Sequence, residues 1–231
     1  MSERQLLETK DFFPEATDWI AARIISGQSD FPDRPFRLSL SGGSTPARIY
    51  ASLARHPGID WQRVLITFGD ERCVPPEAPD SNYRMARESL LGPAAVPENH
   101  VVRLEGELPP TEAARRAEES LRAWAGGESG PFRHDLVLLG MGEDGHTASL
   151  FPGTAALQEQ ERWVIGNHVP KLDAWRITLT YPVLNASRVV AFLVNGSAKR
   201  PVVEEVWQGE GHHPSSGVQP SQGELWWILG S

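Results

Sequence analysis

The chain has 231 residues, 40% of them hydrophobic and 23% charged, which suits a soluble globular domain with a sizeable core. A net charge of −8 argues against nucleic acid or an anionic membrane as the main partner, since phosphate-rich surfaces would repel it. The single cysteine, Cys73, rules out an internal disulfide and any paired-cysteine zinc motif, and its expected role is a small residue in or near the core.

The N-terminal stretch MSERQLLETKDFF lacks the apolar centre of a signal peptide, and no apolar run approaches the ~20 residues of a membrane span. A cytoplasmic protein is expected. Phe12–Ile25 places Phe13, Ile20, Ile24 and Ile25 near helical spacing. Phe36–Ser41 alternates like a strand, and Pro46–Leu53 reads as a helix with Pro46 in its first turn. Arg63–Phe68 is a strand. Ser81–Leu91 is a helix capped by Ser81 or Asn82. Val101–Leu104 is a weak strand, and Thr111–Trp124 is a helix with Thr111 as candidate cap. Leu136–Leu139, Trp163–Gly166, Arg176–Thr180, Val189–Val194 and Leu225–Leu229 read as strands, and Ser197–Gln208 as a helix. Alternating strands and helices predict one α/β domain over 1–231, with a mostly parallel sheet covered by helices on both faces. No internal repeat is visible. The loop 209–223 carries His212 and His213, whose neighbours make solvated histidines a better reading than metal ligands.

Chemistry concentrates at three strand-end turns. Asp135–Gly153, DLVLLGMGEDGHTASLFPG, runs from a buried-type strand into a glycine-rich turn with Asp144 and His146. The carboxylate can orient the imidazole or tune it for acid–base work. Ser39–Pro46, SLSGGSTP, combines backbone-exposing glycines at Gly42 and Gly43 with hydroxyls at Ser41, Ser44 and Thr45 ahead of a helix, which suits an anion, although an ordinary strand-to-helix turn with a Ser cap would also explain it. Its spacing matches neither nucleotide-loop pattern. Thr67–Pro75 sets Asp70, Glu71 and Arg72 at a third turn, where Asp70 suits sugar hydroxyls or a base and Arg72 suits a phosphate or carbonyl, although a solvated charge cluster would also explain the triplet. Turns following strands of one parallel sheet converge on one edge, and the site belongs there. Lys171, Arg176, Lys199 and Arg200 are isolated basic residues available to a phosphate, although surface charge alone would also explain them.

At these residues the chain resembles the 6-phosphogluconolactonases. LSLSGGSTP (Leu38–Pro46), FGDERCVP (Phe68–Pro75), SNYRMARESLL (Ser81–Leu91) and GMGEDGHTASLFPG (Gly140–Gly153) are similar to that family's blocks and come in its order. KLDAWRITLT (Lys171–Thr180) and FLVNGSAK (Phe192–Lys199) resemble its weaker later blocks. The resemblance implies a Rossmann-like three-layer α/β/α sandwich and hydrolysis of 6-phospho-D-glucono-1,5-lactone, with no metal and no cofactor. It implies His146 as the catalytic histidine, with Asp144 orienting the turn or the ring. It assigns Gly42, Gly43, Ser44 and Thr45, with Ser41 and Gly142 beside them, to substrate loops, Asp70 and Arg72 to substrate contact, and Arg176 and Lys199 to the phosphate region. A small phosphorylated sugar lactone is the implied partner, and a monomer the implied state. Family members continue past the last strand into an Asp and a closing helix, whereas LWWIL here runs into Gly230 and Ser231.

Two rivals follow. Amino-sugar-phosphate deaminases of the same fold carry a Glu five residues after the histidine, where this chain has Phe151, which cannot relay protons. A non-catalytic sugar-phosphate sensor would usually add a DNA- or partner-binding module, and no basic helix-turn-helix segment is present.

Overall fold

A computed structural model describes residues 4–230. Six strands form one parallel sheet: β1 (Arg4–Glu8), β2 (Phe36–Leu40), β3 (Val64–Phe68), β5 (Leu136–Leu139), β8 (Val189–Val194) and β9 (Glu224–Leu229), in the order β1-β9-β8-β5-β2-β3. Every residue of β2, β5 and β8 is buried, which explains why VVAFLV and LVLL are continuous apolar runs rather than alternating ones. Helices cover the sheet on both sides, giving the expected α/β layers. Among the described residues the α-helices are α1 (Phe12–Asp30), α2 (Ser44–Leu53), α3 (Asn82–Ala86), α4 (Pro110–Ala125), α5 (Tyr181–Ala186) and α6 (Arg200–Gln208). In α1, Ala16, Ile20, Ile24 and Gly27 recur at helical spacing and all are buried. In α4, Ala113, Ala117, Leu121 and Ala125 form the buried stripe, while Glu112, Arg115, Arg116 and Glu119 pair along the exposed side.

The structure corrects several expectations. The segments around 163–166 and 176–180 do not join the parallel sheet. As β6 (Val164–Val169) and β7 (Ala174–Leu179) they form an antiparallel hairpin that pairs with β4 (Asp70–Arg72) in a second sheet of order β4-β7-β6. Gly69 is the junction: its N–H donates to the Leu40 carbonyl in the large sheet at 2.8 Å, and its carbonyl accepts from Leu179 in the small one at 2.9 Å. Val101–Leu104 is no strand; it makes one bridge to Ile66. Thr111 is not a cap, because α4 starts one residue earlier with Pro110 at its first position. The helix foreseen over Ser81–Leu91 is capped by Ser81, whose Oγ accepts from Arg84 N, but it widens into a π-helical turn over Arg87–Leu91. Helix α6 begins at Arg200, after a 3-10 turn over Ser197–Lys199. No helix among the described residues is long and apolar enough to cross a membrane.

Candidate active site

Strands β5, β2 and β3 are neighbours, so the turns at their carboxyl ends meet above one edge of the sheet. They enclose a cavity of about 550 Å³. Ser41, Gly42, Gly43, Ser44 and Thr45 line it from β2 and α2, Asp70 and Arg72 from β4, and Gly142, Asp144 and His146 from the turn after β5. Arg176 on β7 and Lys199 ahead of α6 close its sides. The residues that the resemblance assigns to catalysis and substrate contact therefore face one space, whereas Glu71 and Arg200 do not line it.

The turn after β5 is closed by Gly145 N donating to the Gly142 carbonyl at 3.0 Å and Gly142 N donating to the His146 carbonyl at 2.9 Å. This puts the His146 ring over Gly142, so tightly that a Cβ there would lie 2.2 Å from ring atoms Cε1 and Nδ1. His146 Nδ1 is 2.5 Å from Asp144 Oδ1, and Asp144 Oδ2 accepts from Lys171 Nζ at 2.9 Å. Burial alone would raise the Asp144 carboxyl, but the hydrogen bonds from His146 and Lys171 outweigh it and hold it well below the usual carboxylate range. Asp144 is thus ionised at neutral pH and sets Nδ1 as the bonded ring nitrogen. Phe151 stacks on the imidazole, ring centres 4.0 Å apart and planes within 18°, which restrains the ring's tilt.

The triplet Asp70-Glu71-Arg72 splits by strand alternation, because β4 sends alternate side chains to opposite faces. Asp70 faces the cavity, where Ser149 Oγ donates to Oδ2 at 2.6 Å and Asn82 Nδ2 to Oδ1 at 3.3 Å. Glu71 is 2% exposed and serves the start of α3. It accepts from Ser81 Oγ and from the backbone N–H groups of Arg72, Asn82 and Tyr83 at 2.7–3.0 Å. Burial nevertheless keeps its carboxyl above the usual range. Glu71 is therefore a structural anchor rather than part of a solvated charge cluster. Arg72 is steadied by the Asp80 carbonyl.

Gly42 is required by close approach: a Cβ there would sit 1.9 Å from Asn82 Oδ1. Helix α2 then begins two residues before the expected Pro46, at Ser44, so the N–H groups of its first turn lie beside the cavity. Behind it, the buried Tyr50 hydroxyl donates to the Ser41 carbonyl and accepts from the Ser41 N–H, clamping the end of β2. Arg176 Nη1 donates to the Trp175 carbonyl at 2.9 Å. Cys73 is half-buried and packs against the core, and burial pushes its thiol up, away from nucleophilic use. His213 is half-buried rather than free in solvent, whereas His212 is exposed: the His213 ring lies behind Gly145, and its Nε2 is 2.6 Å from Glu205 Oε2. Among the described residues no cluster of three or more His, Cys, Asp or Glu side chains is arranged to hold a metal.

Sequence reasoning missed Asn82, Ser149 and Leu193 in the lining, read Asn82 only as a helix cap, and left Lys171 an unplaced cation. Asn82 and Ser149 reach Asp70 from 12 and 79 residues away in the chain, a pairing with no local signature. Ala148 is left-handed at φ 47°, within a tight turn closed by Leu150 N on the Thr147 carbonyl that carries Ser149 to Asp70.

Residues 8–227 match the model of the glucosamine-6-phosphate isomerases/6-phosphogluconolactonase family. The chain is 43% identical over 201 residues to a 6-phosphogluconolactonase of Nostoc sp., covering 84% of this chain and 81% of that protein. It is 40% identical to the Homo sapiens 6-phosphogluconolactonase, covering 84% and 78%. Its fold superimposes on the crystal structure of 6-phosphogluconolactonase from Thermotoga maritima with a TM-score of 0.84 at 26% identity, covering 99% of this chain and 100% of that one. The 6-phosphogluconolactonase from Trypanosoma cruzi gives 0.85 at 29% identity, covering 99% and 95%. With the three turns, the His146–Asp144 pair and these matches in agreement, the chain belongs to the glucosamine-6-phosphate isomerase/6-phosphogluconolactonase family.

Proposed function

We propose that this protein hydrolyses 6-phospho-D-glucono-1,5-lactone to 6-phospho-D-gluconate, the second step of the oxidative pentose phosphate pathway. One observation carries the reading: an Asp144-bound His146 beside the first turn of α2 and the cations Arg72, Arg176 and Lys199, in one cavity. Water attacks the lactone carbonyl carbon C1 while the second ring nitrogen of His146, Nε2, takes the water's proton. The imidazolium is stabilised by Asp144, which stays ionised. The tetrahedral oxyanion is met by Arg72 and by backbone N–H groups of the Gly42–Thr45 turn. Collapse breaks the bond from C1 to the ring oxygen, and His146 returns its proton to that oxygen, leaving a hydroxyl and the carboxylic acid. A lactone is already an activated ester, so the sequence of steps calls for no metal, cofactor or covalent intermediate. Asp70, held by Ser149 and Asn82, orients sugar hydroxyls, and Arg176 and Lys199 take the phosphate.

Residues 1–231 act as one α/β domain, monomeric and cytoplasmic, with the small phosphorylated lactone as partner and no nucleic acid. The deaminase reading is disfavoured because Phe151, where that chemistry needs a second carboxylate, stacks on the histidine. The sensor reading leaves the buttressed His146–Asp144 pair without a purpose. The test generates the lactone in situ from glucose 6-phosphate and follows its disappearance against the spontaneous rate. Acceleration by the wild type supports the lactonase. Binding of 6-phosphogluconate without acceleration would favour the sensor, and ammonia release from glucosamine 6-phosphate the deaminase.

A further inference from the structure

Lys171 belongs to neither the large sheet nor its turns. It sits in the 3-10 turn Pro170–Leu172 that joins β6 to β7, directly after the Val169–Ala174 pair, with Asp173 left-handed at φ 45°. The hairpin register therefore fixes where the lysine starts, and its Nζ ends 2.9 Å from Asp144 Oδ2. The other oxygen of the same carboxylate is 2.5 Å from His146 Nδ1 and also accepts the His146 backbone N–H at 3.3 Å. Asp144 is thus shared between the general base and a cation from the second sheet.

We propose that Lys171 is a positioning residue for the acid–base pair: it fixes the Asp144 carboxylate with Oδ1 on the imidazole and tempers that carboxylate's pull on the imidazolium. The inference rests on the lactonase reading, in which His146 must be neutral to accept the water's proton. An unshared carboxylate would hold the proton on the ring to higher pH, and a nearby ammonium opposes this. The other charged groups that line the cavity are Glu143 on the turn itself, Asp70 and Arg72 on β4, Arg176 on β7 and Lys199 before α6. Behind the turn lie His213 and Glu205, bound to each other. Among the described residues only Asp144 hydrogen-bonds the His146 ring, and only Lys171 joins Asp144 from another element. The lysine side chain is 70% exposed, so solvent screens its charge and the shift it imposes is modest.

The test follows the His146 ring protons by NMR through a pH titration of the wild type, Lys171→Met and Lys171→Arg, with His146→Ala identifying the resonance. The methionine variant raises the His146 midpoint by about 0.5–1 pH unit, and arginine, which restores the cation, returns it to near the wild-type value. The acid limb of kcat/KM for lactone hydrolysis moves up by the same amount. A midpoint that stays put or falls in Lys171→Met overturns the proposal, as does a shift that arginine fails to reverse. The titration needs no substrate, so the expected shift in Lys171→Met together with a wild type that does not hydrolyse the lactone refutes the lactonase reading alone.

Discussion

Replacing Gly142 by alanine separates the site's geometry from the fold's stability. The new methyl would lie 2.2 Å from His146 Cε1 and Nδ1 and 3.0 Å from Asp144 Oδ1, whereas ordinary contact begins at 3.4 Å. The obstacle is a side chain and not backbone, so the ring must retreat by about 1.2 Å while the turn stays closed. Such a retreat breaks the 2.5 Å contact with Asp144 and moves Nε2 off the attacking water. A misplacement near 1 Å costs about 10²-fold in rate, or about 2.7 kcal/mol of transition-state stabilisation. Gly142 is not among the left-handed glycines, so alanine fits its backbone, and the lost chain entropy of the unfolded state offsets part of the crowding by about 0.4–1 kcal/mol. The expected outcome is a kcat for lactone hydrolysis down about 10²-fold with KM little changed and a urea midpoint close to the wild type's. Turnover within threefold of the wild type would refute the claim that the ring is held against this glycine.

His146→Ala lowers kcat by about 10²–10⁴-fold while calorimetry still detects 6-phosphogluconate binding, since the ring moves protons and the cations hold the phosphate; unchanged turnover would remove His146 from the mechanism. Glu71→Ala orphans three backbone N–H groups and the Ser81 hydroxyl, so it destabilises the fold by about 2–4 kcal/mol in urea unfolding, far more than a surface carboxylate would. His134 is fully buried, with Nε2 2.8 Å from Thr67 Oγ1, and burial, helped by Arg37, pushes it down to about 3 from the ordinary 6.5. Between those values the unfolded chain binds the proton and the folded one does not, so stability is intact above pH 6.5 and falls as pH drops toward 3. His134→Gln should flatten the acid side of a stability–pH curve by up to about 1.4 kcal/mol per pH unit, and an equal slope in both proteins would contradict this.

Much of this molecule was decided by local pattern. VVAFLV and LVLL are apolar throughout because parallel strands are buried on both faces, so their sequence announces their layer. The SGGSTP and GMGEDGHTASLFPG turns are legible for a similar reason: close approach at Gly42 and Gly142 and a helix start at Ser44 are constraints that act within a few residues. Once three such turns follow adjacent parallel strands, chirality and topology bring them to one edge without further instruction.

What only the tertiary structure decided involves partners far apart in the chain. The local sequence marks β6 and β7 as strands but says nothing of which sheet they enter; that depends on β4, three residues long, leaving β3 at Gly69. Edge strand β1 went unread because RQLLE is only partly buried, with Leu6 46% exposed, and an edge needs no strong apolar signal. The triplet Asp70-Glu71-Arg72 looks uniform in sequence, yet the pleat sends Asp70 to the cavity and Glu71 under α3, which gives like residues unlike roles. Ser149 and Asn82 on Asp70, and Lys171 on Asp144, were invisible for the same physical reason: a hydrogen bond depends on where the fold carries its two ends, and no spacing rule links residues on separate elements.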